Sequence, residues 1–176
     1  MDVQAFTQPV IEFVRTHSEW APLVVGLLAL AESIALFSLL VPATVLLMGI
    51  GALIGATGIE FWPMWAGAVI GAGLGDTISY WLGRHFHDPI SRMWPLNKHP
   101  DLLPRGHSFF ERWGVFGVFI GRFFGPLRAT VPLAAGACAM PFIPFQITNW
   151  LSASAWAGLM LGPGAYSMEQ VGRMLN

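Results

Sequence analysis

The sequence predicts an all-α integral membrane protein in which each of two similar halves combines a broken apolar stretch with a transmembrane helix. Of the 176 residues, 55% are hydrophobic and only 11% are charged, whereas an ordinary soluble domain carries about 25% charged residues. Crossing the bilayer core takes roughly 18–20 apolar residues. Stretches of at least that length cover 21–58, 62–83, 115–139 and 142–166. A soluble fold would leave these surfaces uncovered, so we expect lipid around the chain.

Residues 1–20 predict a helix that lies in the membrane interface. Val3, Phe6 and Val10 recur at helical spacing among Asp, Glu, Gln and Arg, a composition too polar to span the bilayer. The first four residues carry no basic segment, so we expect no cleaved signal peptide.

The first broken stretch, 21–58, is longer than one span and barely long enough for two. Glu32 and Pro42 interrupt it. A re-entrant hairpin or a pair of short, broken helices therefore fits better than one straight helix. The next segment, 62–83, has aromatic residues at both ends, as expected of a transmembrane helix whose rings settle at the two interfaces.

The segment 84–114 is the polar part of the chain. It holds five of the nine basic residues, in a connection short enough for the positive-inside rule, so we expect a cytoplasmic loop. Pro95, Pro100 and Pro104 argue against one continuous helix, although 102–113 suits a short amphipathic one.

The second broken stretch, 115–139, leads into a final span, 142–166, and a C-terminal tail, 167–176. Two arginines and two prolines interrupt it, namely Arg122, Pro126, Arg128 and Pro132. We expect Pro126 and Pro132, like Pro42 in the first half, to mark the breaks of hairpins.

One spacing is common to the two halves. Glu32 precedes Pro42 by ten residues and Arg122 precedes Pro132 by ten, so Glu32 and Arg122 occupy corresponding points. We interpret this as a weak internal repeat, with coincidence as the alternative. If the cytoplasmic loop separates the halves, their orientations are opposite, as in transporters whose sites lie at the interface of inverted repeats.

Four charged residues lie within the apolar segments: Glu32, Asp76, Arg122 and Arg128. A charge at the centre of a membrane helix costs about 2.5–3.5 kcal/mol. Each of these residues should therefore be paired with an opposite charge, be hydrated, or take part in the function of the protein. One interpretation is a set of structural salt bridges. The other is a water-accessible cavity in which arginines hold a phosphate while a carboxylate takes up and releases a proton. Asp76 lies near the inner end of its segment, where pairing with an arginine is an alternative role.

Glycines recur every four residues in two segments, a spacing that lets helix backbones approach closely. The first series is Gly67, Gly71 and Gly75, and the second is Gly117, Gly121 and Gly125.

Several function classes are disfavoured. With Cys138 as the one cysteine, the chain forms neither an internal disulfide nor a cysteine-based zinc or redox site. The five histidines lie outside the main apolar segments, so no Ser–His pair of an intramembrane protease is visible. A net charge of −1 gives no general attraction to nucleic acid. We expect no enzyme activity, cofactor, bound metal or nucleic-acid partner.

Several motifs together resemble the DedA family, also called the SNARE-associated or VTT-domain family, over about residues 31–156. They are Glu32 followed by Val41-Pro42, Gly71 to Arg84, Phe109 to Gly114, Gly121 to Arg128, Pro132 to Met140, and Phe145 to Asn149 with Trp156. The resemblance implies two opposed re-entrant helical hairpins, each followed by a transmembrane helix, as an inverted repeat. It also implies a protein of the bacterial cytoplasmic membrane.

The activity implied by the resemblance is movement of lipids between leaflets, with undecaprenyl phosphate and phosphatidylethanolamine as bacterial substrates. The family's functional acidic position matches Glu32, and its paired arginines match Arg122 and Arg128. Many bacterial members have an acidic residue after Pro-Gly where this chain reads Pro42-Ala43-Thr44. That departure puts proton coupling and the usual substrate in doubt.

The leading hypothesis is a lipid translocase whose Arg122 and Arg128 bind the lipid phosphate. Glu32 would act as a gate or proton site, with Asp76 as a second ionisable or arginine-pairing group. Two alternatives use the same charges: a proton-coupled transporter of a small ion or solute, and a non-transporting membrane scaffold.

Overall fold

The computed structural model describes residues 12, 16–17, 19–34, 43–57, 59–86, 102–124 and 127–175. Within them the chain forms α-helices and no strand, which confirms the all-α prediction. The six helices are α1 (Ala21–Ser33), α2 (Ala43–Thr57), α3 (Phe61–His85), α4 (Leu102–Gly121), α5 (Leu127–Ala137) and α6 (Phe142–Leu175). Most of the predicted interfacial segment 1–20 lies outside the described residues, as do Pro42 and Pro126.

None of these six helices combines the length and the apolarity required to cross a membrane; this includes α3 and α6, which overlap the spans predicted at 62–83 and 142–166.

The first apolar stretch is divided into two helices. α1 ends at Ser33, one residue after Glu32, and Ile34 is already extended with φ −83° and ψ 120°. The next helix, α2, begins at Ala43. The two helices make few contacts with each other, since α1 packs along α3 and α2 packs along α6. Each helix of this stretch is therefore supported by a later part of the chain.

Glycines explain how closely α1 approaches α3. A Cβ atom at Gly67, Gly71 or Gly75 would meet a backbone oxygen of α1, belonging in turn to Pro22, Gly26 and Leu30. The first glycine series thus permits backbone contact, as its spacing predicts. The second series differs, because Gly117 and Gly121 face the side chains of Phe109 and Val131 instead of a backbone.

The second apolar stretch is broken between α4 and α5. α4 ends at Gly121, and Arg122 to Phe124 form a turn. The prediction that Pro132 marks a break is wrong, because Pro132 lies inside α5. A proline there costs one hydrogen bond, to the carbonyl four residues earlier. Close packing on α3 offsets that loss, since Gly83 and Gly136 permit backbone contact between the two helices.

α6 is longer than the predicted final span. The segment 167–176, predicted to be a C-terminal tail, is helical as far as Leu175, because α6 continues to that residue. Residues 168–170 are Met, Glu and Gln, three good helix formers. Residues 165–167, between Gly164 and this segment, include no glycine or proline that would end the helix.

α4 begins inside the segment predicted as a loop and bends at Gly114. The helix covers 102–113, the part predicted to be amphipathic, and resumes after Gly114, whose φ is 46° and ψ −121°. L-residues with a Cβ rarely adopt this backbone conformation. The bend therefore depends on glycine at this position.

We expect Gly114→Ala to lower the free energy of unfolding by about 1–3 kcal/mol, the usual cost of a residue held in a disfavoured region. Among the described residues, apart from the adjoining backbone, no atom lies within 4 Å of the added Cβ, so the effect isolates backbone strain. Thermal unfolding in detergent micelles measures it. Gly162→Ala is the matched control, because its Cβ is also unobstructed but its φ is not positive. A Gly114→Ala variant as stable as the control would contradict this account.

Large apolar side chains cover the outer faces of the helices. On α3 the exposed residues Ile70, Leu74, Ile78 and Trp81 form one stripe. α6 carries a similar set at Ile143, Ile147, Leu151 and Leu159. The buried interior, by contrast, contains charged and amide side chains. Apolar surfaces of this extent mark contact with lipid or with another protein.

Candidate functional site

The four charged residues singled out in the sequence form two buried ion pairs. Nη2 of Arg122 contacts Oδ2 of Asp76, and Nη1 of Arg128 lies 3.0 Å from Oε1 of Glu32. All four residues are buried. Glu32 and Arg122, which occupy corresponding points in the sequence repeat, are therefore not each other's partners.

The breaks in the helices bring these side chains together. Glu32 lies in the last turn of α1 and Arg128 in the first turn of α5. A carboxylate at a helix C-terminus and a cation at an N-terminus both oppose the helix dipole. Each charge is thus poorly placed on its own helix, and pairing between the helices compensates for this.

Arg128 has two further contacts besides Glu32. Its Nη2 donates a hydrogen bond to Oγ of Ser33 at 3.1 Å. Its Cζ lies 4.0 Å from the centre of the Trp156 ring, within the range of a cation–π interaction. Arg128 is consequently held by α1 on its edge and by α6 on its face.

Arg122 is held mainly through one nitrogen. Besides Asp76, Nη2 donates to Oδ1 of Asn149 at 2.7 Å. Asn149 is fully buried, and its Nδ2 donates to the carbonyl oxygen of Gly73 at 2.9 Å. Nη1 of Arg122 has no hydrogen-bond partner among the described residues. Burying a hydrogen-bond donor without an acceptor costs free energy, so binding of an acceptor atom at this nitrogen would be favourable.

Sequence reasoning missed three of the contact residues: Ser33, Asn149 and Trp156. The last two belong to the motifs that carry the family resemblance, although no role was inferred for them. They are seven residues apart on α6, which is two helical turns, and therefore share a face. An asparagine within an apolar helix is the signal that identifies such a residue, because a buried amide requires partners.

The ion pairs do not line any of three cavities that the described residues form. Three cavities have volumes of about 490, 350 and 310 Å³. None of the three is lined by Glu32, Asp76, Arg122 or Arg128. In this conformation the charges contact protein groups within the interior.

Comparison with known proteins identifies the family. The model of the VTT domain matches residues 41–166, which include α2 to α5 and most of α6. The chain belongs to the VTT domain family, also called the DedA family. This confirms the resemblance inferred from the motifs, and the chain is accordingly a membrane protein.

Relatives in several bacteria support the assignment. The chain is 36% identical over 152 residues to inner membrane protein YabI of Escherichia coli strain K12, covering 86% of this chain and 60% of the relative. It is 30% identical over 131 residues to inner membrane protein YghB of the same strain, covering 74% and 59%. It is 33% identical over 164 residues to the uncharacterized membrane protein Mb2670 of Mycobacterium bovis, covering 90% and 71%.

The chain spans only about 60% of the length of the first of these relatives. No solved structure matches it.

Proposed function

We propose that this protein moves a phosphate-bearing lipid between the leaflets of a bacterial cytoplasmic membrane, with the phosphate held at Arg122 and Arg128. The observation that carries the proposal is the burial of two guanidinium groups beside a helix break, within a chain of a membrane protein family. Guanidinium groups stay charged and bind phosphate through paired hydrogen bonds.

Electrostatics around the arginines favours an anion. Each guanidinium group is a buried cation, and an anion beside it offsets part of the cost of that burial. The N-terminus of α5, which begins at Leu127, adds the partial positive charge of a helix end. A lipid phosphate therefore competes for these groups with Asp76 and Glu32.

The carboxylates supply a means of coupling to protons. A phosphate that takes an arginine from Asp76 or Glu32 leaves an unpaired carboxylate in an apolar interior, where the charged form is costly. Proton uptake removes that charge, and the ion pair forms again when the proton and the lipid leave. Translocation in this scheme becomes faster as the pH on the loading side falls.

The arrangement of the chain in the bilayer is part of the proposal. We propose that the helices enter the membrane, with α4 and α5 as a re-entrant hairpin whose turn includes Arg122 to Phe124. The exposed apolar stripe on α3 and its equivalent on α6 support lipid contact along the outside. The lipid tails remain in the bilayer while the phosphate passes through the interior.

Charge favours a polyprenyl phosphate over phosphatidylethanolamine as the substrate. A phosphate monoester carries about −1.5 to −2 charges at neutral pH, which matches two guanidinium groups. The phosphate of phosphatidylethanolamine is a diester with a single negative charge. We therefore propose undecaprenyl phosphate first and phosphatidylethanolamine second.

Lipid movement in vesicles tests the proposal. Purified protein is reconstituted into sealed vesicles, and translocation of undecaprenyl phosphate and of labelled phosphatidylethanolamine is followed from one leaflet to the other. Wild-type protein should accelerate movement of at least one lipid, and Arg122→Ala with Arg128→Ala should abolish the acceleration. Wild-type rates in that double variant would rule the proposal out. A pH change driven by a small anion, without lipid movement, would instead favour a solute transporter.

A non-transporting scaffold is the second candidate, and one observation favours it. Both arginines already have buried carboxylate partners, and the pairs join α1 to α5 and α3 to the turn after α4. In that case the charges only stabilise the fold, and neutral side chains of similar shape would replace them without loss of function.

A further inference from the structure

The two buried arginines differ in how completely the protein surrounds them. Arg128 contacts Glu32 through Nη1, Ser33 through Nη2 and Trp156 through its planar face. Its Nη1 meets Glu32 as an ion pair, without the geometry of a hydrogen bond. Each of its terminal nitrogens nevertheless has a polar neighbour, and one face is covered by a ring.

Arg122 is surrounded on one side only. Asp76 and Asn149 both contact the same nitrogen, Nη2. Nη1 has no hydrogen-bond partner among the described residues, although Arg122 is only 4% exposed. A donor in this position loses its hydration without compensation, and a bound acceptor would restore it.

We propose that the two arginines contribute unequally to the phosphate site: Arg122 binds the phosphate first, through Nη1, while Arg128 adds its positive charge and chiefly holds Glu32 and α1 in place. This inference rests on the proposed function and assigns different roles to the two arginines of the proposed site. An entering phosphate meets Nη1 of Arg122 first, because this nitrogen makes no hydrogen bond to the described residues that the phosphate would have to break. At Arg128 it would have to displace Glu32 or Ser33.

The contacts on α6 support this division. Asn149 occupies Nη2 of Arg122 and leaves the other nitrogen available, while Trp156 stacks on Arg128. Because the two residues are seven positions apart on one helix, α6 sets the separation of the two guanidinium groups. Asn149 and Trp156 are therefore positioning residues, which hold the arginines without contacting the lipid.

Lysine substitutions separate the two roles because they retain charge but remove the planar fork of donors. Binding of dodecyl phosphate, a single-chain phosphate monoester, is measured by calorimetry on purified protein in maltoside micelles, with dodecanol as the uncharged reference. The melting temperature of each variant is measured in the same micelles. Trp156→Leu is included because it removes the stacking and leaves both arginines in place.

In Arg122→Lys the single ammonium group remains with Asp76 and Asn149, so we expect the affinity for dodecyl phosphate to fall at least about tenfold with little change in melting temperature. Arg128→Lys keeps its charge beside Glu32 but loses the contacts with Ser33 and Trp156. We expect it to lower the melting temperature and to weaken binding by less than about threefold. Trp156→Leu should likewise lower the melting temperature and weaken binding by less than about threefold. This variant tests the role of Arg128 if Arg128→Lys does not fold.

Equal losses of affinity in the Arg122 and Arg128 variants would overturn the division of roles while leaving the proposed function intact. So would an Arg122→Lys variant that binds dodecyl phosphate as tightly as the wild type. If the wild-type protein binds dodecyl phosphate no better than dodecanol, the phosphate site itself is wrong, and the proposed function falls together with this inference.

Discussion

Asp76→Ala is expected to lower the free energy of unfolding by about 3–5 kcal/mol, because it leaves Arg122 as a buried charge without its carboxylate partner. Arg122 is only 4% exposed, so water does not replace the lost contact in the folded protein. Thermal and denaturant unfolding in detergent micelles measure the change. An effect of this size exceeds that of most single substitutions.

Glu60→Ala is the matched control for Asp76→Ala. Glu60 is an exposed carboxylate that precedes α3, the same helix, and makes no capping hydrogen bond there. Surface substitutions of this kind usually change stability by less than about 0.5 kcal/mol. If Asp76→Ala and Glu60→Ala were equally stable, Arg122 would not depend on Asp76, and the paired description of the site would be wrong.

Gly71→Val is the other substitution with a large expected effect. Its Cβ would overlap the carbonyl oxygen of Gly26, which belongs to the backbone of α1 and cannot rotate away. α1 must move from α3, so we expect a loss of about 3 kcal/mol or more, at or above the usual cost of overpacking. Thermal unfolding in micelles is again the measurement.

Gly158→Val, within α6, controls for introducing a β-branched residue into a helix. Among the described residues outside its own stretch of helix, a Cβ there has one neighbour within 4 Å, Nε1 of Trp65 at 3.8 Å, which is an ordinary contact. This variant should therefore lose much less stability than Gly71→Val. Similar losses in the two variants would show that close contact between α1 and α3 is not what Gly71 provides.

The sequence identified the four charged residues of the buried site, but it did not indicate which of them form ion pairs with each other. Glu32, Asp76, Arg122 and Arg128 were identifiable because charges in apolar segments are costly and need partners. Their pairing depends on how α1 and α5 are placed against the other helices, which residue spacing along the chain does not encode. The repeat spacing related Glu32 to Arg122, whereas the fold pairs Glu32 with Arg128.

Features of the helices were predicted correctly where they depend on residues nearby in the sequence. The spacing of the glycines in α3 predicted close packing. α1 ends next to Glu32, the residue that interrupts the first apolar stretch. Pro132 was misread because tertiary packing keeps α5 helical through it. The bend at Gly114 was also missed, since its backbone angles follow from the path of the whole helix and glycine tolerates most angles.

The roles of Asn149 and Trp156 could not be inferred from the sequence alone. Each contacts an arginine far away in the chain, and a buried asparagine or tryptophan has many other ways to satisfy its polar group. Only the packing of α6 against α3 and α5 shows which groups they hold.

The most direct test of the central claim is lipid translocation by a variant in which the ion pair is neutral but the shape of the site is kept. Asp76→Asn combined with Arg122→Met removes both charges and keeps side chains of similar volume. Replacing a whole buried ion pair by uncharged side chains of similar volume is often neutral for stability, so the variant should unfold near the wild-type temperature. The account predicts that it no longer moves phosphate-bearing lipid in vesicles. Wild-type translocation by this folded, charge-free variant would contradict the claim and leave the charges a purely structural role.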